Sequence, residues 1–231
     1  MYKKKSLFVT FEGIEGSGKS YQSKKLFNKV KRMRLPVIYT REPGGTGSAE
    51  KIRKVILDDY FHPDSKEKFN RYTDTLLYLA ARNEHIKSKI KPAILKKKIV
   101  ICDRFADSTI AYQVYGKGVN KYLVDTIHKY ILDNIKPDLT FILKVKISKS
   151  RKRLKERKKK NRYDKFSTSF YNKVQKSFIE ISKTNKKKYV VLDNSQDSLD
   201  TEKIIFKKFI QHLQKWKIKA KNQKLYYLKI N

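Results

Sequence analysis

Short apolar runs alternate along this chain with longer stretches in which apolar residues recur every three or four positions. The runs at 7–11, 37–40, 99–103, 139–145 and 189–192 are rich in β-branched and aromatic residues and bounded by polar residues or proline, which predicts strands. The intervening spacing predicts helices over 21–33, 49–57, 72–89, 119–134, 150–157, 167–184 and 199–216. In the first of these, Leu26, Phe27, Val30 and Met33 share one face. Strands that alternate with helices in this way specify an α/β fold, a five-stranded parallel sheet flanked by helices. No internal repeat and no Pro/Gly-rich linker divides the chain, so one domain is expected over 1–213, with 214–231 a basic tail.

The first strand runs straight into FEGIEGSGKS. The spacing Gly13-x-x-x-x-Gly18-Lys19-Ser20 is that of a P-loop, in which glycines let the backbone curl and aim its N–H groups at phosphate oxygens. Its position between a strand and a helix supports the reading, because orphan N–H groups and the macrodipole favour an anion at a helix N-terminus. Gly13, Ile14, Glu15, Gly16, Ser17, Gly18, Lys19 and Ser20 are the candidate nucleotide-binding residues. Lys19 would reach the β- and γ-phosphates of ATP, and the Ser20 hydroxyl would ligate Mg²⁺. GTPases, ATPases and small-molecule kinases all carry such a loop, so it specifies a nucleoside triphosphate and no more.

Composition narrows the class. The chain has 231 residues, 39% of them hydrophobic, enough to bury a core in one domain. Its single cysteine, Cys102, excludes a disulfide framework and fits a reducing, cytoplasmic setting. No apolar run is long enough to span a membrane. The 57 Lys and Arg against 22 Asp and Glu give a formal charge of +35, which taken alone would suggest a nucleic-acid partner. The excess is mostly lysine spread along the chain, whereas a binding face would cluster arginine and interleave aromatic residues. A solvated basic surface is the preferred reading, and specific nucleic-acid binding is not expected.

In open α/β sheets ligands sit beyond the carboxyl ends of the strands. Those ends here deliver Lys19, Arg41, Glu42, Asp103 and Arg104 to one rim, with Glu15 inside the loop. Phosphoryl transfer needs a clamp on the donor, a cation near the acceptor phosphate and a carboxylate for metal or water. Asp103 is the candidate carboxylate and, with Ser20, the candidate metal ligand.

The segments FEGIEGSGKS, TREPGGTGSAEKIR, LLYLAAR, DRFADSTIAYQ, KPDLTFIL and a basic stretch ending NRYD resemble, in this order, bacterial thymidylate kinases. The resemblance covers residues 5–213, and REPGGT followed by DRxxxSxxAYQ is its most specific part. It implies a P-loop kinase with a mobile lid over about 151–164 that moves the ATP γ-phosphoryl group to dTMP, and it implies a homodimer. Glu15 would face the sugar 3′-hydroxyl. Arg104, with Arg53, would clamp the acceptor phosphate, and Glu42 and Ser108 belong to the same acceptor set. Tyr78 would stack on thymine, and Arg82 would hydrogen-bond O4. Thr109 would lie at the base edge, with Tyr112 and Gln113 against the deoxyribose.

Two departures stand out. The stretch from Arg157 to Arg162 lacks the lid glycine and aspartate common in the family, and Phe105 stands where tyrosine or histidine is common. Gly16 occupies the position where some thymidylate kinases place a P-loop arginine. The cation that meets the developing charge is therefore expected from the lid, with Arg157 first choice ahead of Arg153 and Arg162. Another nucleotide kinase, or a nucleic-acid-binding P-loop protein, would leave the acceptor-side motifs idle.

Overall fold

The computed structural model describes residues 6–58, 68–156, 162–196 and 199–228. Its centre is one sheet of five parallel strands, β1 (Phe8–Glu12), β2 (Val37–Arg41), β3 (Ile99–Asp103), β4 (Leu139–Lys144) and β5 (Tyr189–Asp193), in the order β2-β3-β1-β4-β5. Every residue of β1 and β3 is buried, as strands covered on both faces should be. All five elements were predicted as strands, each to within a residue or so at either end.

The connecting helices are α1 (Lys19–Arg32), α2 (Gly47–Asp58), α3 (Arg71–His85), α4 (Lys91–Leu95), α5 (Ala106–Thr109), α6 (Lys121–Ile131), α7 (Ile147–Lys155), α8 (Thr168–Lys183) and α9 (Leu199–Leu228). On one face of the sheet, Leu26 and Val30 of α1 and Ile205, Phe209 and Leu213 of α9 close over Val9, Phe11, Ile101 and Phe141. On the other, Ile86, Ile90, Ile94 and Phe105 cover Phe8 and Val100, and Ile14, Tyr112, Tyr171, Val174 and Phe178 gather around Ile142. Asn70, Asn120 and Ser167 cap α3, α6 and α8 by accepting from the backbone N–H groups of Tyr72, Tyr122 and Phe170.

Three elements depart from the sequence pattern. The helix predicted over 72–89 does not stop there, because a π-helical turn at Ile86–Ile90 carries it into α4, whose first turn accommodates Pro92. The sequence pattern predicts no element between Asp103 and 119, yet this segment forms α5 and a π-helical turn, Ile110–Gly116. Its β-branched and aromatic residues have weak helix propensity, and burial of Ala111 and Tyr112 against α8 overrides it. The proposed boundary at 213/214 falls inside α9, whose backbone stays helical to Leu228.

Candidate active site

Parallel strands aim their carboxyl ends at one rim, and two backbone bonds fasten that rim. Arg104 N–H donates to the Phe11 carbonyl and Glu42 N–H to the Asp103 carbonyl, each at 2.9 Å. From β1 the chain turns through Gly13, Gly16 and Gly18 with φ of 139°, 69° and 87°, values that favour glycine. At Gly16 there is also no room: a Cβ would stand 2.7 Å from the Ser150 carbonyl oxygen of α7. A side chain at this position would require the backbone at Ser150 to shift.

Lys19 opens α1 and spans the loop, its Nζ donating to the Ile14 carbonyl at 3.0 Å. Burial, with Arg104 nearby, lowers its pKa to about 8. The Ser20 hydroxyl donates to Oδ2 of Asp103. The buried Asp103 Oδ1 and Ser17 Oγ have no hydrogen-bond partner among the described residues. Buried polar atoms are seldom left so, and Asp103 lines the cavity described below.

Arg104 follows β3 with φ 73°, an uncommon conformation for a side-chain-bearing residue. Its Nη1 donates to the Gly13 carbonyl at 3.0 Å and to Ser108 Oγ at 3.1 Å, and its Nη2 donates to Glu15 Oε1 at 2.6 Å. The Tyr112 hydroxyl donates to the other oxygen of Glu15. Burial opposes ionisation of Glu15, but Arg104, Lys19 and that hydroxyl outweigh it and hold the carboxyl below its ordinary range. Behind them, Glu12 accepts from the Phe105 N–H at 2.7 Å and from the Ser108 hydroxyl. Burial and the neighbouring Asp107 push its pKa up to about 8.

The acceptor-side residues meet the loop across a single cavity of about 360 Å³. Its wall includes Glu15, Lys19, Ser20, Asp103 and Arg104 together with Glu42, Arg53, Tyr78, Arg82, Ser108, Thr109, Tyr112 and Gln113. Arg53 donates to the Pro43 carbonyl at 2.8 Å. Glu42 accepts from Arg82 Nε at 2.7 Å and lies 3.0 Å from His85 Nδ1, whose ring reaches Thr40 Oγ1 at 2.6 Å through Nε2. Burial works against the Glu42 carboxylate, and Arg82 and His85 together still keep its pKa low. The Phe105 ring, next to Arg104 in sequence, turns into the core. It is buried edge-on to Phe8 with centroids 4.9 Å apart, under the Arg82 guanidinium.

The lid arginines separate. Arg153 of α7 donates to the Gly16 carbonyl at 2.8 Å and to the Asn194 carbonyl at 3.0 Å, so it already sits on the phosphate loop. Arg162, expected as a transfer cation, is instead fully buried, paired with Asp74 and donating to the Ile56 carbonyl at 2.7 Å. Arg157, the first choice, lies outside the described residues.

Sequence reading missed Glu12, Asp74, His85 and His128. An acid inside the apolar run before the loop was the available signal for Glu12. The histidines, two of four in the chain, gave none. Among the described residues, no helix is long and apolar enough to cross a membrane.

Comparison with known proteins agrees with this geometry. The family described as thymidylate kinase matches residues 11–205. A thymidylate kinase of Wolbachia pipientis wMel is 47% identical over 179 residues, 76% of this chain and 85% of that protein. One from Sulfurihydrogenibium is 39% identical over 198 residues, 86% of this chain and 94% of its own length. The crystal structure of thymidylate kinase from Ehrlichia chaffeensis superposes with a TM-score of 0.65 at 36% identity, covering 81% of this chain and 92% of the other. With its sheet order, its phosphate loop and its acceptor wall all of one kind, this chain belongs to the thymidylate kinase family.

Proposed function

We propose that the chain transfers the γ-phosphoryl group of ATP to the 5′-phosphate of dTMP, giving dTDP and ADP. The observation that carries the reading is the shared cavity, in which a phosphate loop faces an aromatic ring, a guanidinium clamp and a polar base-edge wall. A GTPase or a DNA-dependent ATPase has no use for that second wall.

Backbone N–H groups of residues 13–20 and the Lys19 ammonium hold the donor phosphates. Ser20 and Asp103, joined by a hydrogen bond with one Asp103 oxygen spare, suit Mg²⁺, which when bound would neutralise phosphate charge. Arg104 and Arg53 take the acceptor phosphate, so both phosphates are fixed before reaction and the entropy of alignment is met by binding. Tyr78 offers a flat face to the base, Tyr112 and Gln113 close on the deoxyribose, and Glu15 accepts from its 3′-hydroxyl. Arg153, on the Gly16 carbonyl, supplies positive charge that Gly16 itself does not.

Self-association into a homodimer is supported by the exposed apolar residues of α3, where Leu76 is 49% exposed. Cytoplasmic nucleotide synthesis is the setting this chemistry fits. The test is a coupled assay of ADP formation with dTMP, dUMP, dCMP and dGMP. dTMP is expected to exceed dCMP by about 10³-fold or more in kcat/KM, with dUMP between them. Equal rates on dTMP and dCMP would reject the assignment.

A further inference from the structure

Parallel strands enter the sheet along one edge and leave along the other, and here the two edges differ in charge. The leaving edge is the catalytic rim, where Glu15, Glu42 and Asp103 line the cavity. At the entering edge, backbone bonds set the strand starts side by side. The Ile99 N–H donates to the Pro36 carbonyl at 2.7 Å, Val100 to Leu7 at 3.0 Å, Asp138 to Phe8 at 2.8 Å and Thr140 to Lys188 at 2.9 Å. The segments leading into β2, β3 and β5 therefore converge, and they read KRMRLP (31–36), LKKK (95–98) and KTNKKK (183–188), without an acid in any of them. Arg32, Arg34, Lys96, Lys97, Lys186 and Lys187 are all exposed. Arg34 and Lys97 hold φ of 55° and 57°, where a turn more readily takes glycine. The segment into β4 brings two acids, but Asp133 pairs with Lys91, and Asp138 Oδ2 accepts from the Phe8 N–H at 2.7 Å. Helix α9 comes down to the same edge, where His212 Nε2 lies 3.3 Å from the Lys187 carbonyl. From His212 its backbone stays helical to Leu228, a reach of about 24 Å at about 1.5 Å per residue. No Asp or Glu follows Glu202 in the sequence, and Lys217, Lys221 and Lys224 recur at helical spacing.

We propose that the entering edge of the sheet, with the far end of α9, is a sequence-independent binding surface for the phosphate backbone of nucleic acid. Lysines that are spread along the sequence are gathered by the fold into one basic face. That face lies a full strand length from the phosphate loop, so it is separate from the nucleotide cavity. A row of cations there gains by releasing the counterions condensed on a nucleic acid, a term that needs no base contacts. A bilayer fits the surface less well, because insertion needs apolar area. In the three converging segments the large exposed apolar residues are Met33 and Leu95 alone.

The test uses the full chain and a fluorescein-labelled DNA duplex of arbitrary sequence, about 20 base pairs long, read by anisotropy between about 50 and about 200 mM KCl. With about five cations on phosphates, log K should fall against log salt with a slope of about −4 or steeper, a loss of about 10²-fold or more across that range. Reversing charge at the edge, Lys96→Glu with Lys186→Glu and Lys187→Glu, is expected to weaken binding by about 10²-fold at the lowest salt. Lys24→Glu with Lys173→Glu and Lys176→Glu makes the same charge change on α1 and α8 and is expected to cost less than about fivefold. Truncation after Trp216 is expected to cost about tenfold. It decides the matter if the edge variant does not fold, and undiminished affinity there would then overturn the proposal. Lys19→Ala should bind the duplex as the parent does, whereas a loss in that variant would place the duplex in the nucleotide cavity and overturn the proposal. A slope shallower than about −2, or equal losses in the two triple variants, would also overturn it. So would binding to phosphatidylglycerol vesicles without binding to the duplex, which would assign the face to lipid. The duplex is bound without ATP or dTMP, so the outcome is independent of the kinase assay.

Discussion

The guanidinium of Arg162 lies on the carboxylate of Asp74, and both side chains are sealed from solvent. The same guanidinium stands 5.6 Å from the ring centroid of Tyr78, and the second oxygen of Asp74 accepts from Lys117 Nζ at 2.8 Å. Residues 88 apart in the chain are therefore pinned together behind the ring that is to stack on the base. Breaking a buried pair costs about 3–5 kcal/mol, with the lower end expected here because Lys117 remains as counter-ion. Arg162→Met should raise the KM for dTMP by about tenfold and leave kcat within about threefold. A lower kcat at unchanged KM would return Arg162 to the role of transfer cation.

Arg153 and Gly16 make a paired prediction. Because a Cβ at Gly16 would meet the Ser150 carbonyl, Gly16→Arg should not rescue Arg153→Ala and should itself impair turnover. Arg153→Ala alone should lower kcat by about 10²-fold or more if the residue meets transition-state charge. Recovery of kcat in the double variant, by steady-state kinetics, would show that the loop has room for a cation.

Lys19 gives ATP binding a pH dependence. Its pKa in the free enzyme is lowered to about 8, and bound phosphates raise it again by adding negative charge. The complex then binds more protons than the free enzyme above that pKa, so affinity should be flat below about pH 7 and weaken as pH rises through about 8. Titration calorimetry between pH 6.5 and 9.5 checks this, and Lys19→Arg should flatten the profile. Affinity that rises with pH in the parent would contradict it.

Glu12 acts on stability with a definite sign. Its folded pKa is raised from 4.5 to about 8, so the folded protein holds more protons than the unfolded chain between those values. Stability from this group therefore falls as pH rises from about 4.5 to about 8 and stays low above it. Glutamine removes the titratable proton and keeps a side-chain oxygen that can accept from the Phe105 N–H. Glu12→Gln should gain several degrees in Tm over the parent at pH 9 relative to the difference at pH 5. A Tm difference independent of pH would remove Glu12 as a buried acid.

The sheet and the phosphate loop were legible because each is written in local sequence, whereas the acceptor-side wall came only from the family resemblance. Five β-branched runs, a glycine spacing and a strand-end Asp-Arg pair are adjacent-residue signals. The Arg162–Asp74 pair and the Glu42–Arg82–His128 network are not, since each joins residues about 40 or more positions apart. For the same reason a lid arginine read as a free cation turned out to be a buried strut. The backbone around Ile110–Gly116 was illegible for a different reason, because packing there defeats propensity.

Truncation after Trp216 should be tolerated. Ile205, Phe209 and Leu213, the α9 residues buried on the sheet, all precede the cut, and Trp216 itself packs at the edge of that core. The shortened enzyme should keep kcat with dTMP within about threefold if nothing beyond the buried core contributes. A hundredfold loss in folded, soluble protein would assign the terminal segment a role in catalysis.

The central claim is that one cavity passes a phosphoryl group from ATP to dTMP. Incubation with γ-labelled ATP and dTMP, with products separated and quantified, tests it most directly. The account predicts label in the terminal phosphate of dTDP, equal in amount to ADP formed, and ADP formation falling to background without dTMP or in Lys19→Ala. Label recovered as inorganic phosphate at the same rate with and without dTMP would contradict it.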